Sequence, residues 1–166
     1  MTVIDEDTVP EIKENIRKQA YKAGFDAVGF ASAEANPADS RGLAAFLEKG
    51  LHGDMDWLAE PDGRRADPKA LMPDAKSIIV LGANYGPACD PLTSLQRPER
   101  GTISVYAQSA RDYHDVLKRR LKRLGSWIGE QYGAEIKVFV DTAPVMEKPL
   151  AERAGIGWRG KHSNLV

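Results

Sequence analysis

The sequence predicts an α/β domain in which helices lie against a β-sheet. Segments with helical periodicity alternate along the chain with short apolar segments that are typical of strands. Residues 78–81 form a continuous apolar run, which suits a strand covered on both faces. Residues 111–132 form the clearest helix, with apolar side chains at helical spacing. The number of residues between strands leaves parallel and antiparallel neighbours both possible.

The first half of the chain begins with a helix. Residues 8–11 have the pattern of a capping box with proline in the first turn, and Gly24 is a typical helix end. A short strand is predicted from Phe25 to Ala31. Ser40 is the predicted N-cap of a second helix, and a short helical piece follows in residues 51–60. The apolar residues that face inward are predicted to be Ile12, Ile16 and Ala20 in the first helix and Leu43, Phe46 and Leu47 in the second.

The second half continues the alternation. A strand is predicted in residues 77–85, and the prolines and glycines of residues 86–101 indicate a long loop. Two further strands are predicted in residues 102–107 and 135–140, on either side of the long helix. The apolar stripe of that helix is Tyr113, Leu117, Leu121, Leu124 and Ile128.

Composition is ordinary for a globular protein. A length of 166 residues fits one domain, and a net charge of −1 does not by itself demand a nucleic-acid partner. The chain has one cysteine, Cys89, which excludes an internal disulfide and a cysteine-rich metal site. The single cysteine also indicates a reducing compartment. The apolar runs are too short for a membrane span and no signal peptide opens the chain, so a cytoplasmic location is expected.

Asp141 is the strongest candidate for a catalytic residue. It directly follows the predicted strand 135–140, and active-site residues gather where strands end. Its apolar neighbours Phe139 and Val140 would disfavour the ionised carboxylate, and a carboxylic acid that keeps its proton can act as a general acid. The alternative is a structural role, as the N-cap of a helix that begins near Met146 or as a turn residue.

A glycine-rich segment runs from Gly155 to Lys161 and is followed by His162. Glycines allow backbone N–H groups to approach a ligand closely. The pattern is neither a P-loop nor G-x-G-x-x-G, so phosphate binding is weakly supported. A helix end followed by turns is the structural alternative, and a loop histidine is more often structural or solvated than catalytic.

Asp112 and His114 open the long helix. Their spacing is that of the cobalamin histidine motif D-x-H-x-x-G, but Leu117 occupies the glycine position. An axial histidine is therefore rejected, and a capping and surface role is predicted for both residues.

Cationic side chains concentrate on the same helix, at Lys118, Arg119, Arg120, Lys122 and Arg123. A solvated helix face explains them, and contact with the phosphates of tRNA is the alternative. Arg64 and Arg65 are a second anion-facing candidate, in a polar loop.

Four segments together resemble the epoxyqueuosine reductases, the family that carries out the last step of queuosine biosynthesis in tRNA. They are residues 51–58 (LHGDMDWL), 84–87 (NYGP), 111–114 (RDYH) and 140–164. Their order and spacing match the family from about residue 10 to the end. The combination is specific, although no single segment is.

This resemblance implies a fold and a chemistry. Residues 1–166 would be a single N-terminal cobalamin-binding domain, with an α/β fold similar to nitroreductases and to B12-processing proteins. In the family, a ferredoxin-like domain with two 4Fe-4S clusters follows. The family's enzyme is an oxidoreductase that reduces the epoxide of epoxyqueuosine, at the wobble position of tRNA, to the alkene of queuosine. Asp141 would protonate the departing oxygen.

The resemblance also implies where cobalamin binds. Carried over to this sequence, the cofactor-binding positions are Arg65, Val105, Tyr106, Asp141, Gly160, Lys161, His162, Ser163, Asn164 and Leu165. Cobalamin would be bound with its own base displaced and without a protein histidine on cobalt, so no residue of this chain is expected to ligate a metal.

The family's cluster cysteines have no counterpart in this sequence, because Cys89 alone cannot hold a 4Fe-4S cluster. The chain is therefore expected to be truncated before the iron–sulfur domain and to be inactive by itself. The expected partners are tRNA that carries epoxyqueuosine and an electron donor to the clusters, with no membrane involved.

Two alternatives remain. A relative of the reductive dehalogenases would share cobalamin and iron–sulfur chemistry, but the block around Asp141 argues against it. A non-enzymatic cobalamin-binding module would hold the cofactor and would need no acid at Asp141.

Overall fold

Two units make up the part of the chain that the computed structural model describes, residues 8–59 and 63–166. Residues 8–26 and 82–142 form the first, here called the helical unit. Residues 27–59, 63–81 and 143–166 form the second, here called the sheet unit. No helix in the described ranges is long and apolar enough to cross a membrane.

Over the described residues the helices and strands follow one another in the order α1 (Val9–Lys22), β1 (Ala27–Ser32), α2 (Pro37–Glu48), β2 (Ser77–Gly82), α3 (Tyr113–Tyr132) and α4 (Glu147–Arg153). Short 3₁₀ turns lie at Asp56–Leu58, Pro68–Ala70, Pro91–Gln96 and Val105–Gln108. The predicted alternation of helix and strand is therefore confirmed from α1 to α3, but α4 follows α3 without a strand between them.

The core of the helical unit lies where α1 meets α3. Its buried apolar side chains are Ile16, Ala20, Ala23, Phe25, Leu124 and Ile128. The predicted apolar stripes are confirmed, since every member on α1 and α3 is buried or half-buried. These stripes pack together because their 3.6-residue spacing places them on one face of each helix.

Two arginines of α3 also hold the end of α1. Arg120 donates to the carbonyl of Gly24 over 2.6 Å, and Arg123 donates to the carbonyl of Ala23 over 3.3 Å. Ala23 is the C-cap of α1 and Gly24 follows it, so both bonds lie at the negative end of the helix dipole, where cations are stabilising. Gly24 has a φ of 92°, which explains why glycine ends this helix.

The sheet unit is built on the pair β1 and β2. The backbone N–H of Asp26 donates to Gly82 over 2.8 Å, and that of Ala33 donates to Lys76 over 3.2 Å. The residue before β1 thus pairs with the end of β2, and the residue after β1 pairs with the residue before β2, so the strands are antiparallel. α4 packs on β1, and a Cβ at Gly29 would lie 2.2 Å from the carbonyl oxygen of Ala154. Only glycine permits this approach.

Four local predictions are wrong. α2 begins earlier than expected, because the side chain of Asn36, and not that of Ser40, caps it by accepting from the Ala38 N–H. The Thr8 side chain makes no capping hydrogen bond to α1. Residues 102–107 are not a strand, because a 3₁₀ turn occupies Val105–Gln108.

Residues 135–140 do not form a strand either. Their alternation is real, since Ile136, Val138 and Val140 are half-buried while the residues between them are exposed. Ile136 and Val138 pack against the bare backbone of Gly125 on α3, where a Cβ would lie 3.1 Å from Ile136 Cγ2. The alternation therefore reflects packing on a helix and not pairing with another strand.

Candidate functional site

Asp141 lies in the helical unit, at the end of the segment that packs on α3. Its φ is 52°, a left-handed conformation that is uncommon for any residue but glycine and is least unfavourable for Asp and Asn. The side chain is 52% exposed. Asp141 is not the N-cap of α4, which Met146 provides. The structural alternative of a helix cap is therefore wrong.

The predicted apolar enclosure of Asp141 is also wrong, because polar groups surround its carboxyl. The Tyr113 hydroxyl donates to Asp141 Oδ2 over 2.6 Å. His114 Nε2 lies 3.6 Å from the same oxygen. The hydrogen bond from Tyr113 to Asp141 is the main cause that raises the pKa of Tyr113 from 10.0 to about 12, because ionising the phenol would place two negative charges side by side.

Asp112 contacts the other side of the His114 imidazole. Its Oδ1 accepts from the backbone N–H of His114 over 2.9 Å, which makes it the N-cap of α3, as predicted. The same oxygen lies 2.8 Å from His114 Nδ1. The backbone N–H and then the imidazole of His114 lower the pKa of Asp112. The predicted capping role is confirmed, but the surface role for His114 leaves out its contact with Asp141.

Aromatic contacts complete the cluster, which we call the Asp141 cluster: Tyr106, Asp112, Tyr113, His114 and Asp141. The Tyr113 and His114 rings stack with centroids 4.0 Å apart. Tyr106 meets Tyr113 edge to face at 5.8 Å. Tyr106 follows Val105 in a 3₁₀ turn of the same unit. Of the predicted site residues, Tyr106 and Asp141 are thus both in contact with Tyr113.

The other large group of predicted residues, 160–165, forms the turn of a hairpin in the sheet unit. The N–H of Gly160 donates to Asn164 over 2.9 Å, and Arg159 pairs with Leu165 in an antiparallel bridge. Ser163 has a φ of 63°, and its backbone N–H closes the turn by donating to the Gly160 carbonyl over 2.9 Å. Lys161 and His162 lie at the exposed tip.

His162 folds back over its own turn. Its Nδ1 accepts from the Asn164 N–H over 3.1 Å, so the proton of the neutral ring is on Nε2. A Cβ at Gly160 would lie 2.8 Å from His162 Cε1. Glycine is therefore required at position 160 because a side chain there would collide with the imidazole.

A groove of about 400 Å³ separates α4 from this hairpin, within the sheet unit. Arg159 bridges its two sides, because its Nε donates to Glu152 Oε2 over 2.6 Å and its backbone N–H donates to Glu152 Oε1 over 3.2 Å. These two bonds, the backbone one first, lower the pKa of Glu152. Lys148 Nζ, on the same side as Glu152, lies 3.5 Å from Asn164 Oδ1.

Arg65 is also in the sheet unit and is half-buried. Its guanidinium lies 4.7 Å from the centre of the Trp57 ring and donates to the Trp57 carbonyl over 3.4 Å. This cation–π contact orients the charge at the loop surface. Among residues 8–59 and 63–166, no group of three or more His, Cys, Asp or Glu side chains is arranged to hold a metal ion.

Comparison with known proteins supports the resemblance that the four segments indicated. A family model described as epoxyqueuosine reductase QueG, DUF1730, matches residues 65–142. The epoxyqueuosine reductase of Escherichia coli is 39% identical over 158 residues, which are 94% of this chain and 41% of that protein. The predicted resemblance is therefore confirmed, and the chain spans less than half the length of this relative.

Solved structures agree. A crystal structure of epoxyqueuosine reductase with an epoxyqueuosine-modified tRNA-Tyr stem loop matches with a TM-score of 0.76 and 29% identity, over 95% of this chain and 41% of that one. A Bacillus subtilis epoxyqueuosine reductase, described with its aspartate catalytic loop swung out of the active site, matches with a TM-score of 0.72 and 27% identity, over 95% of this chain and 41% of that one. The chain thus has the mixed helix and sheet architecture of these enzymes.

Proposed function

We propose that this chain is the N-terminal, cobalamin-binding part of an epoxyqueuosine reductase, which reduces the epoxide of epoxyqueuosine in tRNA to the alkene of queuosine. The observation that carries the proposal is the Asp141 cluster, an exposed carboxyl held by a tyrosine and faced by a histidine. The similarity to epoxyqueuosine reductases over 94% of the chain supports it.

Asp141 is the proton donor in this proposal. Opening an epoxide leaves a negative charge on its oxygen, and a positioned acid that protonates this oxygen lowers the barrier. The half-exposed carboxyl of Asp141 is open to a bulky substrate, and its contact with Tyr113 fixes the position of one oxygen. A related enzyme with a catalytic loop that is named for an aspartate supports this role.

Cobalamin is the proposed cofactor, and the fold is proposed to be the cobalamin-binding fold similar to nitroreductases and B12-processing proteins. Bound cobalamin would supply, through its reduced cobalt, the electrons that reach the substrate carbon. The proposed contacts are Arg65, Val105, Tyr106, Asp141 and residues 160–165.

The residues of the sheet unit fit such a ligand chemically. Cobalamin carries amide side chains and a phosphate, which need hydrogen-bond donors and cations. The hairpin offers backbone groups and the Nε2–H of His162, and Lys148 and Arg159 line the adjoining groove. The bare backbone at Gly160, where a Cβ would meet the His162 ring, keeps the tip of the turn tightly folded.

Electrons for turnover are proposed to come from two 4Fe-4S clusters held outside residues 1–166. One exposed cysteine, Cys89, cannot supply the thiolates that such clusters require. We therefore propose that this chain alone gives no turnover and that an external electron donor serves the clusters. Since the substrate is tRNA, the proposed location is the cytoplasm.

The test is the isosteric substitution Asp141→Asn in the full-length enzyme. We expect epoxide reduction to fall by about a hundredfold or more, which is the usual effect of removing a general acid. The visible spectrum of bound, base-off cobalamin should persist, because Asn keeps the shape of the side chain. Asp115→Asn, which removes a charge from the same end of α3, is the matched control and should change neither readout.

An unchanged rate in Asp141→Asn would remove the proton-donor role. Failure of the parent enzyme to reduce the epoxide while it binds cobalamin would instead favour a non-enzymatic cobalamin-binding module.

A further inference from the structure

We infer that His114, oriented by Asp112, returns a proton to Asp141 after each turnover. This inference rests on the proposed function, since it needs Asp141 to give up a proton to substrate. The geometry that carries it is a chain of three side chains: His114 Nε2 lies 3.6 Å from Asp141 Oδ2, and His114 Nδ1 lies 2.8 Å from Asp112 Oδ1.

Asp112 fixes the orientation of the imidazole. Its Oδ1 is itself anchored, because it accepts from the backbone N–H of His114 at the start of α3. A carboxylate beside Nδ1 keeps a proton on that nitrogen and leaves Nε2 as the atom that gains and loses one. Nε2 is the atom that faces Asp141.

Tyr113 holds the acceptor and does not supply the proton. Its hydroxyl donates to the same Oδ2 over 2.6 Å, and its ring stacks on the imidazole at 4.0 Å. With a pKa of about 12, the phenol keeps its own proton throughout the neutral range. An imidazole can carry a proton on either ring nitrogen and pass it on, so the two neighbours of Oδ2 have different tasks.

The step balances simply. The N–H bond at Nε2 of the His114 imidazolium breaks while an O–H bond forms at Asp141 Oδ2, and the electron pair of the broken bond stays on nitrogen. Nothing is oxidised or reduced. Neutral His114, with its proton on Nδ1 toward Asp112, then takes a proton at Nε2 from hydronium or a buffer acid in bulk solvent, which leaves water or the buffer base. Its side chain is 41% exposed, so water reaches it.

The 3.6 Å between His114 Nε2 and Asp141 Oδ2 is longer than a hydrogen bond, so proton transfer requires the two side chains to move closer together. Catalytic hydrogen bonds are often long without substrate and tighten in the complex. The titratable groups around His114 are Asp112 and Tyr113 on α3, Asp141 on the segment that packs on α3, and Tyr106, which contacts the Tyr113 ring.

The first experiment compares His114→Gln with the parent in the full-length enzyme. Gln places an amide near Nε2 but cannot carry a proton. We expect the rate of epoxide reduction at neutral pH to fall at least about tenfold with an unchanged KM for tRNA, since relays of this kind contribute about that much or more. The loss should shrink as the pH falls, because bulk acid then protonates Asp141 directly.

Added imidazole should restore much of the rate in His114→Ala, which a purely structural role would not allow. An undiminished rate in His114→Gln with an active parent overturns the relay and leaves the proposed function intact. A parent that reduces no epoxide overturns both. Asp115→Asn again serves as the control.

A second measurement does not depend on activity. Nitrogen NMR of the histidine-labelled full-length protein, assigned with His114→Gln, should show the neutral His114 ring protonated on Nδ1. Asp112→Asn should weaken this preference. A neutral ring protonated on Nε2 in the parent would overturn the relay, because that nitrogen could not then accept a proton from water.

Discussion

Tyr113 and Asp141 form the shortest side-chain contact of the Asp141 cluster, at 2.6 Å, and the phenol pKa reports on it. Because the folded pKa of about 12 lies above the ordinary value of 10.0, the contribution of this pair to stability is fully present below about pH 10 and is lost as the pH rises through about 12. Asp141→Asn removes the negative charge, so we expect the Tyr113 pKa to fall toward 10.0. Ultraviolet absorbance of tyrosinate measures this, with Tyr113→Phe to identify its share.

Asp115→Asn should leave that titration unchanged, and a Tyr113 pKa that stays at about 12 in Asp141→Asn would contradict the hydrogen bond.

At the residue scale, local rules predicted Asp112 as a cap and Asp141 as a functional candidate. The contacts of Asp141 were not predictable in the same way. They depend on the chain returning 28 residues after Tyr113, and residue spacing does not express that return.

At the scale of elements, the packing of α4 on β1 depends on a single glycine. A Cβ at Gly29 would lie 2.2 Å from the Ala154 carbonyl oxygen, so Gly29→Ala must push the helix from the strand. We expect it to lower the free energy of unfolding by about 2 kcal/mol or more, within the range of overpacked cores. Urea unfolding followed by circular dichroism measures the change.

Gly42→Ala is the matched control, because nothing lies within 4 Å of its would-be Cβ in α2. There the same substitution should stabilise by about 0.5–1 kcal/mol, since alanine loses less backbone freedom in a helix than glycine. Equal effects at the two positions would mean that α4 does not approach β1 as closely as described.

Helices were predicted better than strands for a physical reason. A helix satisfies its own hydrogen bonds, so the apolar stripe of α3 was enough to predict it. A strand needs a partner, and residues 135–140 have the alternation of a strand but pack on Gly125 instead. Residues 102–107 likewise contain a turn, closed by the Ala107 N–H on the Ser104 carbonyl at 3.0 Å. Local composition describes the surface that a segment fits, and the partner decides the rest.

For the whole molecule, the question is which surface would meet the proposed tRNA substrate. The net charge of −1 gives no indication, so the answer depends on where cations are left available. The basic run of α3 divides into two parts. Arg120 and Arg123 are bound to the carbonyls of Gly24 and Ala23, where they stabilise the end of α1. Lys118, Arg119 and Lys122 are exposed and are not among the residues bound to that end, although Arg119 Nε donates to the Asp115 carbonyl of its own helix over 3.2 Å.

We therefore expect Lys118, Arg119 and Lys122 to provide the phosphate contacts with tRNA. Each contact releases about one counterion, so replacing all three by Gln should weaken tRNA binding at low salt and flatten its dependence on salt concentration by about two to three units of slope. Fluorescence anisotropy of a labelled anticodon stem loop over a salt series measures both quantities in the full-length protein.

The control compares two single substitutions, Lys118→Gln and Lys49→Gln. Lys49 is likewise exposed but follows α2 in the sheet unit, so its loss should leave the salt dependence unchanged. An unchanged slope in the triple variant would assign the basic face of α3 to solvent alone.

Arg120→Gln tests the structural part of the basic run. We expect it to lower the free energy of unfolding by about 1 kcal/mol, through the lost bond to Gly24, and to leave the salt dependence of tRNA binding nearly unchanged.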